Sequence, residues 1–299
     1  CLLRAYYDAY IQRRLIREKA LEVRAREILE DATAETSSLA VLQARMMLEK
    51  AAEEPVGQAW KEKCMVLADS LFSSIGAQLT VEKHGAMPGR GNFIDNIDIP
   101  LSDAPWLLDQ LAVLEKIEDD NERLERIKGM LRRTDPGPGG FYDHFGSAQS
   151  KYRIVADKTW QEDPGSLQSP RISFGVGIIG EEWVHEVRSQ GFSGQTTPGA
   201  WMSQINTLYD TPLKIRYDNL DTAATYRMRI TYTGRFRSKL KLVANDNIVI
   251  HDLMQTGEKP VYEFDIPREA TAGGKVTFTW TCGEGQRGSQ VTEIWLMRK

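Results

Sequence analysis

Apolar residues in the first 133 positions recur at the spacing of amphipathic helices. Leu3, Tyr7, Ile11 and Leu15 stand four residues apart with charged residues between them, which predicts a long helix ending near Leu29. Similar apolar lines predict four more helices. The predicted inward-facing residues are Leu39, Leu42 and Met46 in the second helix, Val56, Trp60, Cys64, Leu67, Leu71 and Ile75 in the third, Trp106, Leu107, Leu111 and Leu114 in the fourth, and Leu124, Ile127 and Leu131 in the fifth.

Breaker residues interrupt this helical region and then end it. Residues 80–101 have no helical period and contain three glycines and two prolines, which predicts a long loop before the fourth helix. Pro136 disfavours the helical conformation at Asp135, so the helical region is expected to end there. A long ordered loop is often functional, and 80–101 is therefore a candidate site.

Beyond the Pro/Gly stretch at 135–140 the hydrophobic pattern changes to period two. Seven segments alternate or are rich in β-branched and aromatic residues, with turn residues between them. They are residues 211–217, 224–233, 238–243, 247–251, 260–266, 274–281 and 290–297. The predicted fold is α+β in separate halves: a helical domain over 1–133, an aromatic- and Gly-rich connecting segment over 134–210 packed on the joint, and an antiparallel, jelly-roll-like β-sandwich over 211–299.

Composition narrows the possible partners. The chain has 299 residues, a formal net charge of -4 and a pI near 5.7, so neither nucleic acid nor an anionic membrane is an expected partner. The sequence shows no apolar run of transmembrane length and no signal-peptide order. The first residue is Cys1 rather than Met, and an apolar helix follows at once, so we expect the chain to be the C-terminal piece of a longer protein.

The cysteines and glycines exclude several kinds of site. Cys1, Cys64 and Cys282 cannot all pair, and none lies in a CxxC or His/Cys cluster, so neither a metal nor a cofactor is predicted. There is also no GxSxG, P-loop or dinucleotide-binding motif. No catalytic residue is therefore predicted from a motif.

The turn at 139–146 carries several reactive or polar side chains between glycines. Tyr142, Asp143 and His144 place a phenol, a carboxylate and an imidazole where glycine lets the backbone approach closely, which suits a ligand site. The alternative is structural, with the aromatic residues joining the two halves and Asp143 capping a turn. The sequence leaves both interpretations open.

Aromatic residues in the connecting segment give a second functional indication. Trp160, Trp183, Trp201 and Tyr209 lie among Gly, Ser, Gln and Thr residues. Flat rings stack on the C–H faces of sugars, and neighbouring amides and hydroxyls supply hydrogen bonds, so this composition favours glycan binding. For each ring the alternative is an ordinary place in the core.

A resemblance points in the same direction. From about Arg133 onward the sequence resembles the C-terminal region of large, mostly uncharacterised bacterial proteins associated with polysaccharide breakdown. The matching segments are TDPGPGGFYD at 134–143, LYDTPL at 208–213, EFDIP at 263–267 and QVTEIWL at 290–296. The resemblance implies a carbohydrate-binding sandwich attached to a glycoside hydrolase, with the catalytic domain upstream and the parent protein secreted or periplasmic.

The sequence therefore predicts a noncatalytic accessory region that binds or positions a polysaccharide or oligosaccharide. One alternative is a glycoside hydrolase that uses loop carboxylates, with Asp95 and Asp98 as candidates because such enzymes place an acid and a base on either side of the bond. The other is a structural module that mediates assembly.

Overall fold

The computed structural model describes residues 1–88, 91–146, 148–174, 188–190, 196–198, 203–257 and 261–299. The chain divides into two compact units. The helical unit comprises Cys1–Arg133 and Ser189–Thr197, and the sandwich unit comprises Thr134–Arg188 and Pro198–Lys299. Within the described ranges, no helix combines the length and the hydropathy that crossing a membrane requires.

The helical unit is built around one long helix. Its described helices are α1 (Leu2–Glu30), α2 (Ser37–Glu53), α3 (Gln58–Ile75), α4 (Val81–His84), α5 (Ala104–Leu114) and α6 (Asp120–Leu131). α1 packs against α2 and α3, and α5 packs against α2. Gly76 ends α3 in the left-handed conformation at φ +68°. The Asp119 carboxylate accepts from the Glu122 backbone N at 2.7 Å and begins α6.

The prediction of the inward face is correct for α5 and wrong for α2. Trp106, Leu107, Leu111 and Leu114 of α5 are all buried. On α2, by contrast, Leu39, Leu42 and Met46 remain 55%, 49% and 56% exposed. The buried face of α2 instead carries Ala40, Val41, Ala44 and Leu48. The two alanines allow α1 to approach closely, so small residues rather than large ones define the packed face.

The predicted loop at 80–101 is more ordered than its breakers indicate. It contains α4 and a 3₁₀ turn at Phe93–Asn96. Ile94, Ile97, Ile99 and Leu101 are buried in the helical unit. Three isoleucines and a leucine therefore anchor the segment, and the glycines and prolines shape its turns.

The sandwich unit has two main sheets. The first has the order β11 (Val261–Ile266), β8 (Tyr226–Tyr232), β13 (Gln290–Arg298), β6 (Ser203–Asn206) and β3 (Arg171–Phe174), with β1 (Phe141–His144) also paired to β13. The second has the order β10 (Ile248–Gln255), β9 (Lys239–Ala244), β12 (Lys275–Cys282), β7 (Leu213–Asp218) and β2 (Ile154–Val155). A short helix, α7 (Arg268–Thr271), precedes β12. A separate two-stranded pair joins β4 (Arg188–Gln190) to β5 (Thr196–Pro198), and most of its residues belong to the helical unit.

The predicted α+β architecture, a helical region followed by an antiparallel sandwich, is confirmed. All seven predicted strand segments are present as β7 to β13, with ends moved by a few residues. Met228 and Ile230 from the first sheet meet Phe278 and Trp280 from the second in one buried core. The residues between 134 and 210 contribute β1, β2, β3 and β6 to the sheets.

Candidate functional site

The predicted site residues on β1 lie inside the sandwich unit. Tyr142 packs against Trp295 with ring centres 5.0 Å apart and ring planes tilted by 47°, and its hydroxyl donates to Glu293 Oε1 at 2.8 Å. His144 is buried, with Nε2 3.2 Å from Ser203 Oγ. These contacts tie β1 to β13 and β6, which are distant in sequence.

Asp143 belongs to a buried charged cluster. Its Oδ2 lies 3.2 Å from Nε of Arg153. The Arg153 guanidinium carbon in turn lies 4.8, 4.7 and 4.6 Å from the ring centres of Phe141, Tyr152 and Tyr217. Burial raises the pKa of Asp143, and the Arg153 charge opposes that rise. Both charged side chains are largely buried, so the pair offers no open surface to a ligand.

Two glycines in this turn lie where no side chain fits. A Cβ at Gly140 would lie 2.7 Å from the Pro136 carbonyl oxygen, and one at Gly146 would lie 1.8 Å from Ser203 Oγ. Neither position has room for a side chain. The glycine-rich turn therefore permits close backbone packing around β1.

Trp160 and Tyr209 are exposed on the sandwich unit. Trp160 is 74% exposed and Tyr209 is 64% exposed. The loop at 156–170 that carries Trp160 is fixed to the start of β7, because Thr211 Oγ1 donates to the Leu167 carbonyl at 3.4 Å. Lys214 adds an ion pair to Asp157 at 3.0 Å. Trp183 and Trp201, the other two predicted rings, lie outside the described residues.

The Trp160 loop is internally ordered. The backbone N and the hydroxyl of Thr159 both donate to Glu162 Oε2 at 2.8 Å. The Asp163 carboxylate accepts from the backbone N of Leu167 and of Gln168 at 2.9 and 2.8 Å. An exposed indole on a pre-ordered loop loses little conformational entropy when a ligand covers it.

An open pocket of about 400 Å³ adjoins Tyr209. Leu208 lines it, and the Tyr209 backbone N donates to the carbonyl oxygen of Arg287, another lining residue, at 3.4 Å. The remaining lining residues are mostly polar: Arg171, Ile172, Ser173, Gln204, Asn206, Thr207, Arg235, Phe236 and Gln290. The sequence interpretation missed this pocket, although the Arg-Phe-Arg run at 235–237 after Gly234 was a visible signal.

The loop carboxylates are engaged in local structure. Asp95 Oδ2 accepts from the Val81 backbone N at 2.9 Å and from the Asn92 amide at 3.1 Å. Asp98 accepts from the Tyr10 hydroxyl at 2.8 Å and pairs with Lys61 at 2.5 Å. Burial, followed by the hydrogen bond to Asp98, raises the pKa of Tyr10 to about 12. These contacts fix the 80–101 segment to α1 and α3.

The helical unit contains a groove of its own, of about 690 Å³, between α1, α2 and the start of α5. Arg14 and Glu18 line it as an ion pair at 2.7 Å, and Arg14 also donates to the carbonyl of Ile97 at 2.8 Å. Among the residues that the structure describes, no three His, Cys, Asp or Glu side chains are grouped to hold a metal ion.

Comparisons with known proteins give weak matches. No protein-family model matches the chain, and no curated protein matches it. A Podospora anserina GH26-CBM35 β-(1,4)-mannanase shares 9% identity over 54% of this chain and 28% of its own length, with a TM-score of 0.28. A GH115 4-O-methyl-α-glucuronidase with specificity for decorated arabinogalactans shares 13% identity over 89% of this chain and 33% of its own length, with a TM-score of 0.32.

A third structure contains the tandem CBM51 modules of a family 98 glycoside hydrolase from Streptococcus pneumoniae SP3-BS71. It shares 10% identity over 54% of this chain and 48% of its own, with a TM-score of 0.28. The chain thus spans less than half the length of each of these three proteins. At these TM-scores the matches assign no function.

Proposed function

We propose that this chain is a noncatalytic accessory region of a larger, secreted or periplasmic polysaccharide-degrading enzyme, and that its sandwich unit binds glycan. The observation that carries the proposal is the exposure of Trp160 and Tyr209 on that unit. A hydrogen bond between Thr211 and Leu167 joins the two chain segments that carry these rings. Exposed aromatic rings are the usual platforms for the apolar faces of sugar rings.

Covering the exposed Trp160 ring with a sugar is energetically favourable. Covering about 80 Å² of the exposed indole with a sugar ring contributes about 2 kcal/mol at about 25 cal/mol per Å². The ordering of the Trp160 loop by Glu162 and Asp163 reduces the opposing entropy. Amides and guanidinium groups in the pocket beside Tyr209 can supply the hydrogen bonds that a sugar requires.

Affinity electrophoresis of the whole chain in gels containing plant and algal polysaccharides tests the proposal. At least one polysaccharide should retard the wild type, and Trp160→Ala and Tyr209→Ala should each migrate faster in that gel. Leu253→Ala is the matched control, because Leu253 is 52% exposed on β10, at the opposite edge of the second sheet from β2. No retardation by any polysaccharide, or equal retardation of all variants, would contradict the proposal.

A second function has one observation in its favour. Leu39, Leu42 and Met46 form an exposed apolar line on one face of α2, which suits a module that mediates assembly. Sedimentation of the wild type and Leu42→Glu distinguishes the two functions. An assembly module gives a dimer that the substitution dissociates, whereas a monomer at high protein concentration excludes it.

A further inference from the structure

The pocket beside Tyr209 gathers positive charge from three distant segments. Arg171 lies on β3, Arg235 lies in the turn between β8 and β9, and Arg287 lies in the loop between β12 and β13. Among the residues that the structure describes, eleven line the pocket and none of them is acidic. Three arginines thus line one pocket in a chain whose formal net charge is -4.

Two of these arginines differ from others in the sandwich unit. Arg216, Arg227 and Arg298 each pair with a carboxylate at 2.7 to 3.0 Å. Arg171 and Arg287, in contrast, have no carboxylate partner in the part of the chain that the structure describes. Their charge is therefore available to a ligand.

Arg287 is held in place by its surroundings. Its guanidinium carbon lies 4.0 Å from the centre of the Phe236 ring, and that of Arg235 lies 5.2 Å from the same ring. The next residue, Gly288, has φ +109°, and a Cβ there would lie 2.0 Å from the Thr207 carbonyl oxygen. The loop is thereby packed against the end of β6, which fixes where Arg287 enters the pocket.

The charges of Arg235 and Arg287 repel each other. Partial burial, and then the charge of Arg287, lower the pKa of Arg235. Two like charges beside the same Phe236 ring disfavour each other. An anion between them would relieve the repulsion.

The side-chain amide of Gln290 adds a further hydrogen-bond donor to the pocket. The Thr233 hydroxyl donates to Gln290 Oε1 at 2.7 Å, so the carbonyl end of this amide is occupied and its NH₂ group remains to donate. The pocket is thus rich in donors that match a group with acceptors only. Carboxylates and sulfates are such groups, and guanidinium binds them with two parallel hydrogen bonds.

We infer that the Arg171, Arg235 and Arg287 pocket binds the anionic substituent of an acidic glycan, a carboxylate or a sulfate ester, while Tyr209 contacts the sugar ring beside it. This inference rests on the proposed glycan-binding function and specifies its ligand class. The volume of about 400 Å³ lies within the roughly 300 to 1,000 Å³ of small-ligand pockets.

The test measures calorimetric affinities of the whole chain for polygalacturonate, dextran sulfate and the best neutral polysaccharide from the gel screen. We expect at least one of the two polyanions to bind more tightly than the neutral polymer. Arg287→Ala and Arg171→Ala should each weaken that binding about tenfold, as expected for a lost charge-assisted hydrogen bond. Arg216→Ala, which removes the same charge outside the pocket, should leave it within about twofold.

The outcomes separate the two proposals. Carboxylate and sulfate ligands are distinguished by which polymer loses affinity in the arginine variants. If a neutral polysaccharide binds and neither polyanion binds more tightly, or if Arg216→Ala weakens polyanion binding as much as Arg287→Ala does, the inference fails and the glycan-binding function stands. If no polysaccharide of either kind binds, the glycan-binding function itself fails.

Discussion

The guanidinium group of Arg287 stacks 4.0 Å above the ring centre of Phe236, at the rim of the pocket beside Tyr209. Phe236 also lies 5.2 Å from the guanidinium carbon of Arg235. One ring therefore positions two of the three charges that face the pocket. Phe236 is therefore a positioning residue, and its removal should change ligand affinity by changing the orientation of Arg235 and Arg287.

We expect Phe236→Ala to weaken polyanion binding about fivefold, because Arg287 then loses its stacking partner and spends less time in the binding orientation. Phe236→Tyr keeps the ring face and should retain affinity within about twofold. Calorimetry on both variants measures this. Equal loss in both would indicate that the pocket requires the apolar edge of the ring rather than its face.

Gly146→Ala should destabilise the sandwich unit by about 2 to 3 kcal/mol. The new Cβ would lie 1.8 Å from Ser203 Oγ and 2.8 Å from the Ser203 carbonyl carbon, so β6 must move. Gly273→Ala is the control, since nothing lies within 4 Å of a Cβ at that position. Urea unfolding of the whole chain measures both, and an unchanged midpoint for Gly146→Ala would refute the tight packing of this turn.

Asp143 gives the sandwich unit a pH dependence of defined sign. Burial raises its pKa above the usual 3.8, so the native state binds the proton more tightly than the unfolded state does. The contribution of Asp143 to the free energy of unfolding should therefore decrease as the pH rises from about 4 through the raised pKa. Asp143→Asn removes this titration.

The measurement is urea unfolding of wild type and Asp143→Asn at a series of pH values from 4 to 7. The stability of the wild type relative to the variant should fall with increasing pH. A relative stability that rises with pH would show that the Arg153 charge outweighs burial at this site.

Glu22 should give the stability of the helical unit the opposite pH dependence. Burial raises its pKa, but hydrogen bonds and charges from Lys19 and Arg26 outweigh burial and lower it overall. Glu22 also accepts from the Asp103 backbone N at 3.2 Å. Its stabilisation is present above the unfolded value of about 4.5 and is lost as the pH falls through the lower native pKa.

We expect Glu22→Gln to lower the free energy of unfolding by about 2 kcal/mol at pH 7, a moderate value because Lys19 and Arg26 are only partly buried. The loss should be much smaller near pH 3, because Glu22 of the wild type is then largely protonated. Glu27→Gln breaks the exposed pair with Arg24 and should cost at most about 0.5 kcal/mol. Thermal unfolding at both pH values compares the variants. A pH-independent effect of Glu22→Gln would mean that packing, rather than charge, stabilises this position.

More of the helices and strands than of the candidate site could be predicted from the sequence. Met228, Ile230 and Tyr232 alternate with polar residues because one face of β8 packs in the core, so period two was sufficient to find the strand. The α2 face was missed because Ala40 and Ala44 are buried by the close approach of α1, which no hydrophobicity scale reveals.

The site depends on contacts between distant segments. Tyr142 and Trp160 look equivalent in sequence, yet Tyr142 packs against Trp295 of β13 while Trp160 remains exposed on its loop. Pairing between β1 and β13 decides that difference, and it joins residues about 150 positions apart. The three pocket arginines come from separate strands and loops, so their convergence also required the folded chain.

The most direct test of the glycan-binding account is a calorimetric titration of wild type, Trp160→Ala/Tyr209→Ala and Leu253→Ala with an oligosaccharide from the polysaccharide that retards the chain most strongly. The account predicts saturable binding by wild type and by Leu253→Ala, with at least about thirtyfold weaker binding by the double variant. This follows from the loss of two ring contacts of about 1 to 2 kcal/mol each. Equal affinities for all three proteins would contradict it.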